Sequence, residues 1–350
     1  MLVLGAGISY FTGKFETYLR YKGIPYRYRA LDMRHYYVVV PRHLGATQYP
    51  TVRLDDGRWM SDSTPMIAWL EGEHPEHPVM PDDPVQRFAA LLIEDYSDEW
   101  LWRPAMHYRW SHADDRELAS AWLAREVVTL PLPFAVRRRL TARRQTKLFV
   151  SHDGIDERSR EHAEATVARA FACLEPILAE RPFVLGERPT IADIGLMGPF
   201  WRHFVHDPTP ARLLQDTAPE TFAWTARTWA ARGSELGERP LLAGVPADLS
   251  PLLREIGETH LEALAQNAAA HAEGRRHHDL VVQGVTYPHV PTSAYRVWAL
   301  EQLRAGAADA RDLLEAHGCW EPLWRVEELD SGHDPDGTAP FCRALRMVRD

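Results

Sequence analysis

The hydrophobic pattern of this chain changes period once, and that change constrains the fold more than any other feature. Up to about residue 78 the apolar runs are short and punctuated by glycine and proline; from about residue 86 they recur at helical spacing nearly throughout. Residues 2–4 are an apolar run broken by Gly5 and Gly7, which predicts a short buried strand. Residues 12–22 put Phe15, Tyr18 and Leu19 on one helical face and stop at Gly23-Ile24-Pro25. Residues 26–30 predict a second strand, and 32–48 read as irregular, with Val38 to Val40 ending at Pro41. Tyr49-Pro50 opens a strand over 51–54, Asp55-Asp56-Gly57 makes a hairpin turn, and 58–60 return. A helix then starts at Ser63 and carries Ile67, Trp69 and Leu70. The order is βαβ followed by ββα.

Prolines crowd residues 75–84, which places a boundary after a first domain over 1–78. The helical region covers 86–232, with one helix marked by Ala89, Leu92, Ile93 and Tyr96. Leu118, Trp122 and Val127 mark another, and Ala163, Val167, Phe171, Leu174 and Leu178 a third. A punctuated stretch over 233–250 reads as a linker or long turn. A third, mostly helical block follows over 240–350, with helices at 251–273 and 292–316 and a short β-hairpin over 280–287. No internal repeat is present.

Composition excludes more than it assigns. A net charge of −9 over 350 residues argues against general nucleic-acid binding. The dense basic stretch Arg137, Arg138, Arg139, Arg143, Arg144 and Lys147 reads as a solvated helix face, with a patch for an acidic substrate or partner as the other reading. Three scattered cysteines, Cys173, Cys319 and Cys342, fit a reducing compartment and give no zinc signature. Cys173 lies in a helical run and reads as a buried small hydrophobe. Nothing approaches the ~20 apolar residues of a membrane span, and the N-terminus lacks a signal pattern. The expectation is a cytoplasmic protein that engages neither membrane nor nucleic acid.

Three features of the first domain make chemical sense together. Ser9 stands at the exit of the first strand and the start of a helix, where free N–H groups stabilise an anion such as a thiolate. Tyr49-Pro50 opens a strand; a cis bond there would leave the residue before proline exposing backbone groups to a peptide-like ligand. Ser61-Asp62-Ser63 begins the next helix, whose N–H groups suit a carboxylate. Taken singly, each is also what a helix start or a strand edge requires.

In their order along the chain, Ser9…Lys14, Gly45…Tyr49-Pro50, Asp56-Gly57 and Asp62-Ser63 resemble the glutathione-binding domain of the glutathione transferase family. The run from Ser9-Tyr10-Phe11 through Glu16-Thr17-Tyr18-Leu19-Arg20-Tyr21-Lys22-Gly23-Ile24-Pro25-Tyr26 is similar to that family's first strand–helix unit. A second match is independent of it. Residues 181–194 resemble the family's buried capping-box segment, with Thr190 and Asp193 at Ncap and N3 spacing. The resemblance covers roughly residues 1–232, and 240–350 resembles extensions in larger bacterial members. It implies a thioredoxin-like N-terminal domain, an all-helical C-terminal domain, and glutathione as co-substrate.

In serine-type members the hydroxyl at the Ser9 position donates to the glutathione sulfur and favours the thiolate. Tyr49 would pair with the cysteinyl part through its backbone, and Asp62 and Ser63 would hold the γ-glutamyl end. An apolar electrophile would sit between the halves, near the ring-rich segment carrying Tyr96, Trp100, Trp102, Met106, Tyr108 and Trp110. Core packing is the competing reading for those rings. Tyr10 stands where many members carry proline, so Tyr10 competes with Ser9 for the thiolate, although the spacing to Lys14 favours Ser9. Arg34, Arg42 and His43 are candidates for the glycine-end carboxylate, with solvated side chains as the alternative. The resemblance further implies a homodimer. A non-catalytic binding or assembly protein that kept the fold is the alternative function. No metal is expected: His271, His277 and His278 make a polar turn without paired ligands at a recognisable spacing.

Overall fold

The computed structural model describes residues 1–45 and 47–332. Cys342 and the end of the block expected over 240–350 lie outside the described residues. The first half runs β1 (Leu2–Gly5), α1 (Tyr10–Lys22) and β2 (Arg27–Ala30), then a π-helical turn over His35–Val39 into α2 (Val40–Leu44). It continues through β3 (Thr51–Arg53), β4 (Trp59–Ser61) and α3 (Ser63–Glu73). The strands form one sheet in the order β2-β1-β3-β4, with β1 parallel to β2 and antiparallel to β3, and β3 antiparallel to β4. This is the thioredoxin-like α/β half.

Residues 32–48 correct the expectation of an irregular loop, because 35–44 is helical. The Asp32 carboxylate accepts the His35 N–H at 2.9 Å, which starts the turn. Pro41 falls in the first turn of α2, where its missing N–H has no partner to lose, and Gly45 closes the helix at φ 76°. Val40 and Leu44 pack under it against Leu4 and Leu31.

The helical half comprises α4 (Pro84–Asp95), a π turn over Tyr96–Trp100, α5 (Trp102–Ser111), α6 (Ala113–Glu126), α7 (Phe134–Phe149) and α8 (Arg160–Glu180). It continues through α9 (Ile191–Pro199), α10 (Pro208–Thr217), α11 (Pro219–Ala230) and the short α12 (Gly233–Leu236). Its centre is a ring cluster of Phe171, Phe200, Phe204 and Trp224, with centroids 5.2–5.6 Å apart. The capping box at α9 is reciprocal. Asp193 also accepts the Val184 N–H at 3.0 Å and the Trp224 indole at 3.1 Å. Two expectations are corrected: Leu118 is exposed rather than core-facing, and Cys173 is half-buried rather than buried.

The third block holds α13 (Ser250–Ile256), a π turn over Gly257–Leu261, α14 (Glu262–Ala272), β5 (His277–Val282), β6 (Val285–Pro291), α15 (Ala294–Gly306), α16 (Arg311–Ala316) and α17 (Trp320–Trp324). The hairpin turns on Gln283 and Gly284, both at positive φ. The segment 233–250, expected as a linker, is tied to the helical half. The Gln86 amide donates to the carbonyls of Leu242 and Gly244 at 2.9 and 2.6 Å, and the Glu187 N–H to Pro240 at 3.0 Å. The block lies along α4 and the turn after it through Arg296–Glu99 at 3.0 Å and His260–Asp95 at 2.7 Å. Among the described residues, no helix is long and apolar enough to cross a membrane.

Candidate functional site

The sheet register decides which sequence motifs meet. Leu4 pairs with Thr51, and Thr51 with Ser61. The exit of β1, the start of β3 and the exit of β4 therefore share one end of the sheet. Ser9 follows the first, Tyr49-Pro50 precedes the second, and Asp62-Ser63 follows the third, so the topology gathers all three motifs. The Tyr49-Pro50 bond is cis.

Ser9 is half-buried with extended backbone, and its Oγ accepts the Thr12 N–H at 3.4 Å. As an acceptor in that bond, the hydroxyl keeps its own proton available to a ligand. The loop before it is pinned by the helical half. Arg109, paired with Asp207 at 2.9 Å, donates to the Ile8 carbonyl at 2.7 Å. Glu126 at the end of α6 takes the Gly7 N–H and the Trp122 indole at 2.9 Å each, and the Tyr28 hydroxyl at 2.7 Å. A Cβ on Gly7 would lie 3.2 Å from the Trp122 ring, which explains a glycine at this close approach.

Tyr10 points elsewhere. It is 1% exposed, its hydroxyl donates to the Ser97 carbonyl, and its ring packs on Phe11, Trp102 and His203 at 5.0–5.3 Å. Burial, reinforced by Asp98, holds its phenol well above the ordinary value. Tyr10 wedges the two halves together.

Asp62 sits at φ 77° before α3, with Ser63 buried beside it. Its Oδ1 accepts the Tyr295 hydroxyl of α15 at 3.1 Å, so the third block reaches the predicted site. Burial pushes the Asp62 carboxyl up to about 7, against the opposing effects of Tyr295 and Lys14. Lys14, a spacing marker in the sequence, is buried between Glu94 and Asp98 and donates to Thr64 at 2.9 Å. Burial works against its charge, but the two carboxylates outweigh it and leave Lys14 above its ordinary value. This cluster ties α1, the start of α3 and α4 together behind the site.

The expected electrophile pocket is corrected. Tyr96, Trp100, Met106 and Tyr108 are at most 5% exposed, so they do not line an opening. Their ring area is used as core: Trp100 meets Tyr287 at 6.3 Å and Tyr96 meets His260 at 6.2 Å, both in the third block. Half-buried rings near Ser9's helix include Phe11, Trp102 and Phe149. Phe11 and Trp102 stack at 5.4 Å, and Phe149 stands edge-on to Trp102 at 5.5 Å. Phe11 had a signal in its place two residues after Ser9; Phe149, from a distant helix, had none. Arg34 and Arg42 are exposed, and His43 stacks on Trp59 at 4.6 Å. His43 lines a surface groove of about 490 Å³ with Leu2, Arg53 and Trp59, at the opposite end of the sheet from Ser9.

The family model for the glutathione S-transferase N-terminal domain matches residues 4–78, and that for the C-terminal domain matches residues 140–231. Most of the α6–α7 hairpin and the whole third block fall outside both. No curated protein sequence matches the chain. Among solved structures, the β-etherase LigF from Sphingobium sp. strain SYK-6 is similar at 17% identity and a TM-score of 0.48, over 67% of this chain and 96% of that one. A glutathione S-transferase from Rhodospirillum rubrum is 13% identical with a TM-score of 0.47, over 70% and 96%. One from Methylobacterium radiotolerans, in complex with glutathione sulfonate, is 22% identical with a TM-score of 0.36, over 66% and 94%.

Proposed function

Since residues 4–78 and 140–231 make this chain a member of the glutathione transferase superfamily, we propose that it uses a glutathione thiolate, supported by Ser9, to attack an apolar electrophile. The observation that carries this reading is the sheet end that gathers Ser9, Tyr49-Pro50 and Asp62-Ser63. The Ser9 hydroxyl donates to the sulfur while Thr12 N–H holds its oxygen. The positive end of α1 adds to the preference for the charged form and lowers the thiol pKa. The Tyr49 backbone takes the cysteinyl part of the ligand as an added strand would. Ser63 takes the γ-glutamyl carboxylate. Asp62 takes the ammonium through the acceptor sites that Tyr295 leaves open. These contacts fix the sulfur in position, so that the new S–C bond forms as the leaving group departs.

The wall for the electrophile is Phe11, Trp102 and Phe149 in place of the four buried residues. The assembly that fits the family is a homodimer, with the N-terminal half of one subunit facing the helical half of the other.

Conjugation of a generic aryl halide tests the assignment of Ser9. Ser9→Ala should lower kcat/KM by about 10²-fold, the loss of thiolate when a thiol pKa rises by about two units. Tyr10→Phe should leave kcat/KM near wild type. Equal rates for wild type and Ser9→Ala would remove Ser9 from the mechanism, and a loss confined to Tyr10→Phe would transfer the role.

A further inference from the structure

We propose that His107, His112 and Glu164 form a binding site for one divalent transition-metal ion. His107 lies on α5, His112 at the junction of α5 and α6, and Glu164 on α8. The Glu164 Oε1 is 2.9 Å from His107 Nε2 and 3.3 Å from His112 Nε2, and the three ligand atoms lie within 4.8 Å of one another. Ligands about 2.0–2.2 Å from a tetrahedral ion stand roughly 3.3 Å apart, so the two separations from Glu164 are already close to those an ion needs.

Both rings are held by neighbouring side chains. His107 Nδ1 is 2.9 Å from Ser111 Oγ, the outer hydrogen bond that aims the opposite nitrogen of a metal-binding imidazole. The His112 ring stacks on Tyr108 at 5.2 Å, with planes 15° apart. His112 Nε2 is itself buried and makes no hydrogen bond, although it lies 3.3 Å from the Glu164 carboxylate. The His112 and Glu164 side chains are 33% and 35% exposed, which leaves a path for the ion and room for water on its remaining positions. Two imidazoles and a carboxylate suit zinc, cobalt or iron(II) and disfavour calcium and magnesium, which take oxygen ligands.

The test is a titration of the full chain, first dialysed against a chelator, with Co²⁺ followed by its d–d absorption and with Zn²⁺ by calorimetry. Wild type should bind one ion per chain. His112→Ala and Glu164→Gln should each weaken binding by at least about 10-fold. His112 makes no capping bond to α6, so its variant keeps the helix start; circular dichroism without metal checks both folds. No binding by wild type, or full affinity retained in either variant, overturns the site. Retained affinity would assign the ion to other histidines, such as the stacked His277–His289 pair.

Discussion

At the residue scale the site depends on where each polar group sends its hydrogen. Ser9 accepts from its own helix and keeps a proton to give; Tyr10, one residue later, has given its proton to Ser97 inside the interface between the halves. Asp62 carries a pH dependence whose sign follows from its burial. Its native pKa is about 7, against about 3.9 for an unfolded aspartate. Between these values the native state holds a proton that the unfolded state lacks, so this group's contribution to stability falls as pH rises through that window. Above pH 7 the loss is complete. Asp62→Asn does not titrate, so its melting temperature should gain on wild type by more at pH 8 than at pH 4.5. Equal differences at the two pH values would show that Asp62 ionises freely. The places of Ser9, Tyr49 and Asp62 at the ends of strands and helices were legible because short motifs report such boundaries. The contact of Tyr295 with Asp62 was not, since nothing local links residues 233 positions apart.

At the element scale, capping chemistry was read more securely than ring function. Thr190 and Asp193 stand at a spacing with one structural meaning, and the box forms with two further donors on the same carboxylate. Asp193→Ala leaves the buried N–H groups of Val184 and Thr190 and the Trp224 indole without this partner. Urea unfolding should show a loss of about 3 kcal/mol or more, at the upper end for one side chain because several buried donors lose their partner together. A loss under about 1 kcal/mol would mean that water replaces the carboxylate. The aromatic segment around Tyr96–Trp100 misled because a density of rings serves a core as well as a pocket, and nothing local names what covers it. Here the covering surface is the third block. The segment 35–44 was missed for another reason: its valines and proline oppose helix propensity, while the Asp32 cap and burial of Val40 and Leu44 override it.

At the scale of the whole molecule, the first two parts were readable from the change of hydrophobic period, and the third part only as helices and a hairpin. Its placement depends on long-range pairs such as Arg296–Glu99 and His260–Asp95, which join segments more than 160 residues apart. Through Tyr295 it meets Asp62 at the end of the sheet where the motifs gather, so the far end of the chain packs against the N-terminal half there. Calorimetry on the full chain measures directly whether the gathered motifs bind glutathione. Titration of glutathione into wild type should give one site per chain, weakened by about 10-fold or more in Ser63→Ala, the scale of a hydrogen bond to a charged group. No heat from wild type at millimolar glutathione would contradict the account.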